Sequence, residues 1–257
     1  MKRFVALYDL HYGYERDAYR HKKALHDPRV MDIALQFIKD FKPDEIILGG
    51  DMLDCGAISH HNKRKPARID GLRMLSDAHE LNENLIRPLT ERNKNSSLTY
   101  IIGNHEDWIA DIVDEWPGLE GVVSLENLLD LERWRVVPQG GFYRLGKLYF
   151  IHGDSLGGAG EYAAKKAVLL YESSVRLGHY HTYQVYTKTS ALALKLPRTG
   201  MIVPCMCTRD PKYGEGRANS WVQGFTYGYV RDDGSYSDYV ALIVNNRVTI
   251  NGKDYRG

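Results

Sequence analysis

Five short polar clusters recur in order along the chain: Asp9-Leu10-His11, Gly50-Asp51-Met52-Leu53-Asp54, Gly103-Asn104-His105-Glu106, His152-Gly153-Asp154 and Gly178-His179-Tyr180-His181. They constrain the fold because each follows a short apolar run that reads as a buried strand. Phe4 to Tyr8 precedes Asp9, Glu45 to Leu48 precedes the Asp51 cluster, and Leu98 to Ile102 precedes Asn104. Lys147 to Ile151 delivers His152, and Val175 to Leu177 precedes His179. Polar residues placed after successive strands imply an α/β sheet whose carboxyl edge is the functional edge.

Helices fill the intervals. Asp27-Pro28 combines a capping carboxylate with proline at the first helical position, and Val30, Ile33, Ala34, Phe37, Ile38 and Phe41 follow at helical spacing. Residues 68 to 92 are predicted as one long helix with Leu72, Leu75, Ala78, Leu81, Leu85 and Leu89 as its apolar stripe. Shorter helices are expected from Ser124 to Leu131 and from Gly160 to Ser174. Arg135 to Pro138 and Phe142 to Leu145 read as further strands. From residue 183 the pattern alternates and turns often, which predicts antiparallel β structure forming a second sheet packed on the first, with Asn245-Asn246 as a tight turn. No linker or repeat interrupts the chain, so one domain over residues 1–257 is expected.

Composition narrows the class without naming it. With 34 basic and 33 acidic residues the net charge is +1, so any attraction to phosphate must be local. Three cysteines, Cys55, Cys205 and Cys207, form no disulfide framework and suggest a reducing, cytoplasmic setting. Cys205-Met206-Cys207 could hold a soft cation, but two thiols alone rarely make a metal site. No stretch approaches the roughly 20 apolar residues of a membrane span, so no membrane partner is expected.

The chemistry lies in the clusters. Asp9, His11, Asp51, Asn104, His152, His179 and His181 offer oxygen and nitrogen donors and no thiolate, a set suited to manganese first, with iron, zinc or nickel as alternatives. In extended backbone, residues two apart point the same way, so Asp9 and His11 can reach one ion together, as can His179 and His181 unless the backbone bends to split them between two ions.

The ordered set Asp-x-His, Gly-Asp-x-x-Asp, Gly-Asn-His-Glu, His and Gly-His-x-His resembles the calcineurin-like metallophosphoesterases over residues 9 to 181. That resemblance implies a four-layer α/β/β/α sandwich of two mixed sheets between helices. It implies two divalent metal ions. Asp9, His11, Asp51 and His181 would hold one, and Asp51, Asn104, His152 and His179 the other, with Asp51 shared. A hydroxide bridging the pair would attack a phosphate ester. His105 would face the phosphate as a catalytic residue, stabilising charge or protonating the leaving oxygen, with Asp54 orienting it.

The expected reaction is phosphodiester hydrolysis, with a DNA or RNA nuclease as one form. A phosphomonoesterase or a nucleotide or protein phosphatase is the alternative, and a non-catalytic scaffold a weaker one. Where the family's protein phosphatases carry Arg-Gly after the second Asp, this chain has Cys55-Gly56, which weakens the monoester reading. The segment Ser59 to Arg68 places His60, His61, Lys63 and Arg64 beside the expected site as candidate contacts for a polyanionic substrate such as nucleic acid. Arg209 to Arg217 reads as a long loop that could wall a groove.

Overall fold

The computed structural model describes residues 1–17, 19–62, 66–158, 160–190, 197–209 and 219–257. Two mixed sheets form its centre. The first has six strands in the order Tyr236–Ile243, Gln223–Val230, Lys2–Leu7, Glu45–Leu48, Ser97–Ile101 and Arg135–Val137. Its last four strands run parallel, and Lys2–Leu7 meets Gln223–Val230 antiparallel. The second has five strands in the order Gln184–Lys188, Arg198–Ile202, Ser174–Leu177, Leu148–Ile151 and Tyr143–Leu145, with the central three parallel.

Three separate apolar cores define four layers. Val5, Leu7, Ile46 and Leu48 pack with Ile33, Phe37, Leu81, Leu85 and Leu129, sealing helices onto the outer face of the first sheet. Phe4, Ala6, Tyr8 and Ile47 meet Leu148, Phe150, Met201 and Val203 between the sheets. Ile151, Val175, Leu177 and Ile202 pack under Ala163, Ala164 and Ala167 of helix Ala163–Tyr171 on the far face. Strands covered on both faces become continuous apolar runs rather than alternating ones. That explains why Glu-Ile-Ile-Leu at Glu45–Leu48 is buried throughout. Its one acid, Glu45, is satisfied by Lys2 Nζ at 2.6 Å and the Tyr143 hydroxyl at 2.8 Å.

Helix Pro28–Phe41 forms as expected, with the Asp27 carboxylate accepting from the Arg29 amide and Pro28 at the first turn. The long helix does not. Gly71, at φ +71°, interrupts its start, and the helical stretch begins at Met74. It passes through a π turn at Asn82–Ile86 into Arg87–Arg92. Pro88 supplies the reason: it cannot donate to the preceding turn and its ring crowds the carbonyl there, so the helix widens before it. Leu75, assigned to the apolar stripe, is 63% exposed.

The final third also departs from expectation. Gln223–Val230 and Tyr236–Ile243 extend the first sheet instead of building a second one. The second sheet is drawn from Tyr143 to Ile202 and has a parallel centre. Alternating polarity reveals antiparallel pairing but not which sheet edge receives it. Asn245 and Asn246 do form a tight turn, both with positive φ. Among the described residues, no helix is long and apolar enough to cross a membrane.

Candidate metal centre

The parallel strands of both sheets deliver the polar clusters to one edge. Asp9 follows Lys2–Leu7, Asp51 follows Glu45–Leu48 and Asn104 follows Ser97–Ile101. His152 follows Leu148–Ile151, while His179 and His181 follow Ser174–Leu177. Residues up to 172 positions apart in sequence thereby converge, with His11 Nε2 3.1 Å from His181 Nε2 and His152 Nε2 3.1 Å from Asn104 Oδ1.

Asp51 occupies the middle. Its Oδ2 lies 3.3 Å from His152 Nε2, 3.8 Å from His11 Nε2 and 3.9 Å from His105 Nε2. Two groups of donor atoms flank it. On one side stand Asp9, His11 and His181, their ligand atoms all within 4.8 Å of one another. On the other, Asp51 clusters in the same way with His152 and His179, and Asn104 Oδ1 lies 3.0 Å from His179 Nδ1. Asp9, His11, Asp51, His152 and His181 are buried, whereas Asn104, His105 and His179 are half-buried.

Backbone conformation sets this convergence. Asp9, His11, Asp51, His179 and His181 all have left-handed φ, between 50° and 69°. Non-glycine residues seldom adopt that region, and runs of them cluster where surrounding structure enforces a functional geometry. Close approach does the rest. A Cβ on Gly103 would lie 2.2 Å from Asp51 Oδ1, and one on Gly178 would lie 2.5 Å from Asp9 Oδ2.

Glu106 locks the Asp51 turn. Buried at the start of helix Asn104–Glu115, it accepts from the amides of Asp51, Met52, Leu53 and Gly103 and from the Tyr100 hydroxyl. Sequence reasoning noted this residue only as the last letter of a motif and did not assign the helix. The available signal was an acid three residues after Gly103, in the pattern of a capping box. The same helix start lets the His105 amide donate to Asp51 Oδ1 at 2.9 Å.

The ring nitrogens are sorted by their outer partners. His152 Nδ1 lies 3.1 Å from the Gly49 carbonyl, which can only accept, so Nε2 is the nitrogen turned toward Asp51 and Asn104. His11 Nδ1 lies 3.1 Å from Asp54 Oδ1, directing Nε2 inward in the same way. His105 Nδ1 meets the Asp54 carbonyl at 2.7 Å, while the Asp54 carboxylate stands 3.4 Å away. Asp54 therefore steadies His105 chiefly through its backbone, and its carboxylate serves His11 more closely.

Electrostatics follow this packing. Burial would raise the Asp51 carboxyl, but His152, His105 and His11 hold it well below the usual range. Burial would lower His105 and His152, yet Asp51 chiefly, with Asp54 adding for His105, lifts each to about 10. The proton on His152 Nε2 stands where a divalent cation would bind, and cation binding would displace it. The donor set, its division into two groups and the shared carboxylate all fit a pair of such ions.

A cavity of about 440 Å³ opens over the cluster. His11, Asp51, Asn104, His105, His179 and His181 form its floor, and Tyr14, Arg68, Trp108 and Trp221 contribute walls. Trp108 packs on His105 with ring centroids 4.3 Å apart, and Trp221 meets His181 edge-on at 4.2 Å. Neither tryptophan was singled out by sequence reasoning, since an isolated aromatic carries no positional signal. Of the expected substrate contacts, His61 lines the cavity, while His60 lies beside it, 5.8 Å from the Trp108 ring. Lys63 and Arg64 lie outside the described residues, as does the segment 210–217 of the second expected loop.

No family profile matches the sequence, and no curated protein sequence matches it. Solved structures do. Vps29 of Chaetomium thermophilum aligns with 100% of this chain and 99% of its own, at 11% identity and a TM-score of 0.48. A dimetal phosphatase from Danio rerio aligns over 93% of this chain and 98% of its own, at 11% identity and a TM-score of 0.46. YfcE, a phosphoesterase from E. coli, aligns over 92% and 98%, at 12% identity and a TM-score of 0.40. Independently of those overlaps, the four layers and the ordered clusters at one sheet edge give this chain its resemblance to the calcineurin-like metallophosphoesterases.

Proposed function

We propose that the chain is a metal-dependent phosphoesterase acting on phosphodiesters. The observation that carries this reading is Asp51 Oδ2 standing between two groups of hard donors, 3.8 Å from His11 and 3.3 Å from His152. Two divalent ions, with manganese the first choice, would supply charge to neutralise a phosphate and would acidify a bound water. Asp9, His11, Asp51 and His181 would hold one ion; Asp51, Asn104, His152 and His179 the other.

The chain's own contribution is orientation and proton handling. His105 donates Nδ1–H to the Asp54 carbonyl, which leaves Nε2 as the edge that faces the cavity. From there it can hold a proton for a departing alkoxide or stabilise charge on a phosphate oxygen. Trp108 packs against the same ring and limits its rotation. The buried floor excludes water from behind, so a substrate must enter through the cavity.

A second reading, a phosphomonoesterase, gains support from Arg68. The sequence lacks the arginine that directly follows the second Asp in protein phosphatases, but the fold brings Arg68 to the cavity wall. A guanidinium there could grip a terminal phosphate in bidentate fashion. The cavity's volume suits a small ester or one nucleotide unit better than an intact duplex, so a nuclease would have to take single-stranded or frayed ends.

Purified protein loaded with manganese should hydrolyse bis-p-nitrophenyl phosphate, and lose that activity on chelation. Cleavage of p-nitrophenyl phosphate alone would replace the diesterase reading with the monoesterase one. No turnover of either ester with manganese, iron, zinc or nickel would defeat both.

A further inference from the structure

Behind His181, on the face turned away from Asp51, lie two buried thiols. Cys205 is fully buried and Cys207 is 2% exposed. Residues 205 and 207 sit two apart in extended backbone, so their side chains point the same way. Met206 between them packs instead into the helical core. The segment is pinned on both sides. Cys205 exchanges backbone hydrogen bonds with Val222 and Gly224, and the Cys207 carbonyl accepts from Gln223 Nε2 at 2.8 Å.

His181 uses its two nitrogens differently. Nε2 faces the hard-donor cluster, 3.1 Å from His11 Nε2 and 3.7 Å from Asp9 Oδ1. Nδ1 faces the thiols, 3.8 Å from Cys207 Sγ. The ligand atoms of His181, Cys205 and Cys207 all fall within 4.8 Å of one another. Metal–sulfur bonds of about 2.3 Å and metal–nitrogen bonds of about 2.0 Å place adjacent donors roughly 3.5 to 4 Å apart around a trigonal or tetrahedral ion. The observed sulfur–nitrogen spacing meets that requirement without backbone movement.

We propose that Cys205, Cys207 and His181 Nδ1 form a separate site for one thiophilic closed-shell cation, of the zinc, cadmium or copper(I) class. Two sulfurs and one imidazole select such ions over manganese, which prefers oxygen. Binding replaces the thiol protons and the Nδ1 proton with the metal. One imidazole then links the soft site to the hard one, so occupancy of the first alters how His181 presents Nε2 to the second. The inference does not depend on the phosphoesterase reading, because it concerns binding and not turnover.

The test is a titration of reduced protein with cadmium, read by the ultraviolet thiolate-to-metal charge-transfer band. The band should saturate at one equivalent and persist in Cys55→Ser. It should weaken at least tenfold in apparent affinity in Cys207→Ser and vanish in the Cys205→Ser/Cys207→Ser variant. A band of undiminished size in the folded double variant overturns the site. Should that variant fail to fold, cadmium NMR of the unmodified protein decides. A resonance in the thiolate region supports the site, and a spectrum with only oxygen- and nitrogen-bound cadmium rules it out.

Discussion

The two halves of the candidate metal centre are built from similar donors but backed differently. On the Asp9 side, His11 is supported by the Asp54 carboxylate and His181 by the Cys207 sulfur. On the Asn104 side, His152 is supported by the neutral Gly49 carbonyl. A carboxylate behind an imidazole fixes the ring's tautomer more strongly than a carbonyl does. A thiol is a weak acceptor and leaves its ring freer. The contrast would make two ion positions unequal, each tuned by what stands behind its ligands.

Loss of the shared group should have the largest effect. Asp51→Asn removes the charge common to both positions, so turnover should fall below detection and both ions should dissociate in equilibrium dialysis. Retention of two tightly held ions would break the comparison, because the halves would then be independent. Next, Glu106→Ala leaves four buried amides of the Asp51 and Gly103 turns without their acceptor. Unsatisfied buried donors cost about 1–3 kcal/mol each before relaxation. A net loss of at least ~3 kcal/mol is expected, lowering Tm by roughly 6–12 °C. An unchanged melting curve would show that the turn is held by something else.

His105→Ala should cut turnover by roughly a hundredfold or more while leaving both ions bound, from the usual size of acid–base contributions. Release of an ion in that variant would make His105 a ligand rather than a proton-handling residue. Asp54→Asn sharpens the asymmetry directly. It should weaken the ion on the Asp9 side by about 10- to 100-fold and spare the other. Equal weakening of both positions would show that backing by a carboxylate does not distinguish them. The smallest effect belongs to Lys63, Arg64 and Lys65. Neutralising them should slow hydrolysis of oligonucleotides more than of small esters, and more so at low salt. Parallel losses on both substrates would leave the segment without a substrate role.

Much of this centre was legible in the sequence because strand ends are legible. Apolar runs such as Glu45–Leu48 announce burial on both faces, and the polar residue that follows is displayed at the sheet edge. All seven candidate donors and His105 therefore come together where the ordered clusters placed them. What stayed hidden depends on contacts between distant segments. Trp108 and Trp221 gain meaning only from the histidines they touch, and Arg68 only from the cavity it reaches. The π turn before Pro88 and the broken start at Gly71 were visible in principle, but an apolar stripe at helical spacing outweighed them. The pairing of Cys207 with His181 spans 26 residues and carries no local signature.

The left-handed φ values at Asp9, His11, Asp51, His179 and His181 have a consequence for how this protein can change. Strained residues of this kind each cost on the order of 1–3 kcal/mol. Glycine at any of the five would relax the main chain while deleting a candidate donor. Heat tolerance and donor number therefore pull in opposite directions at these positions.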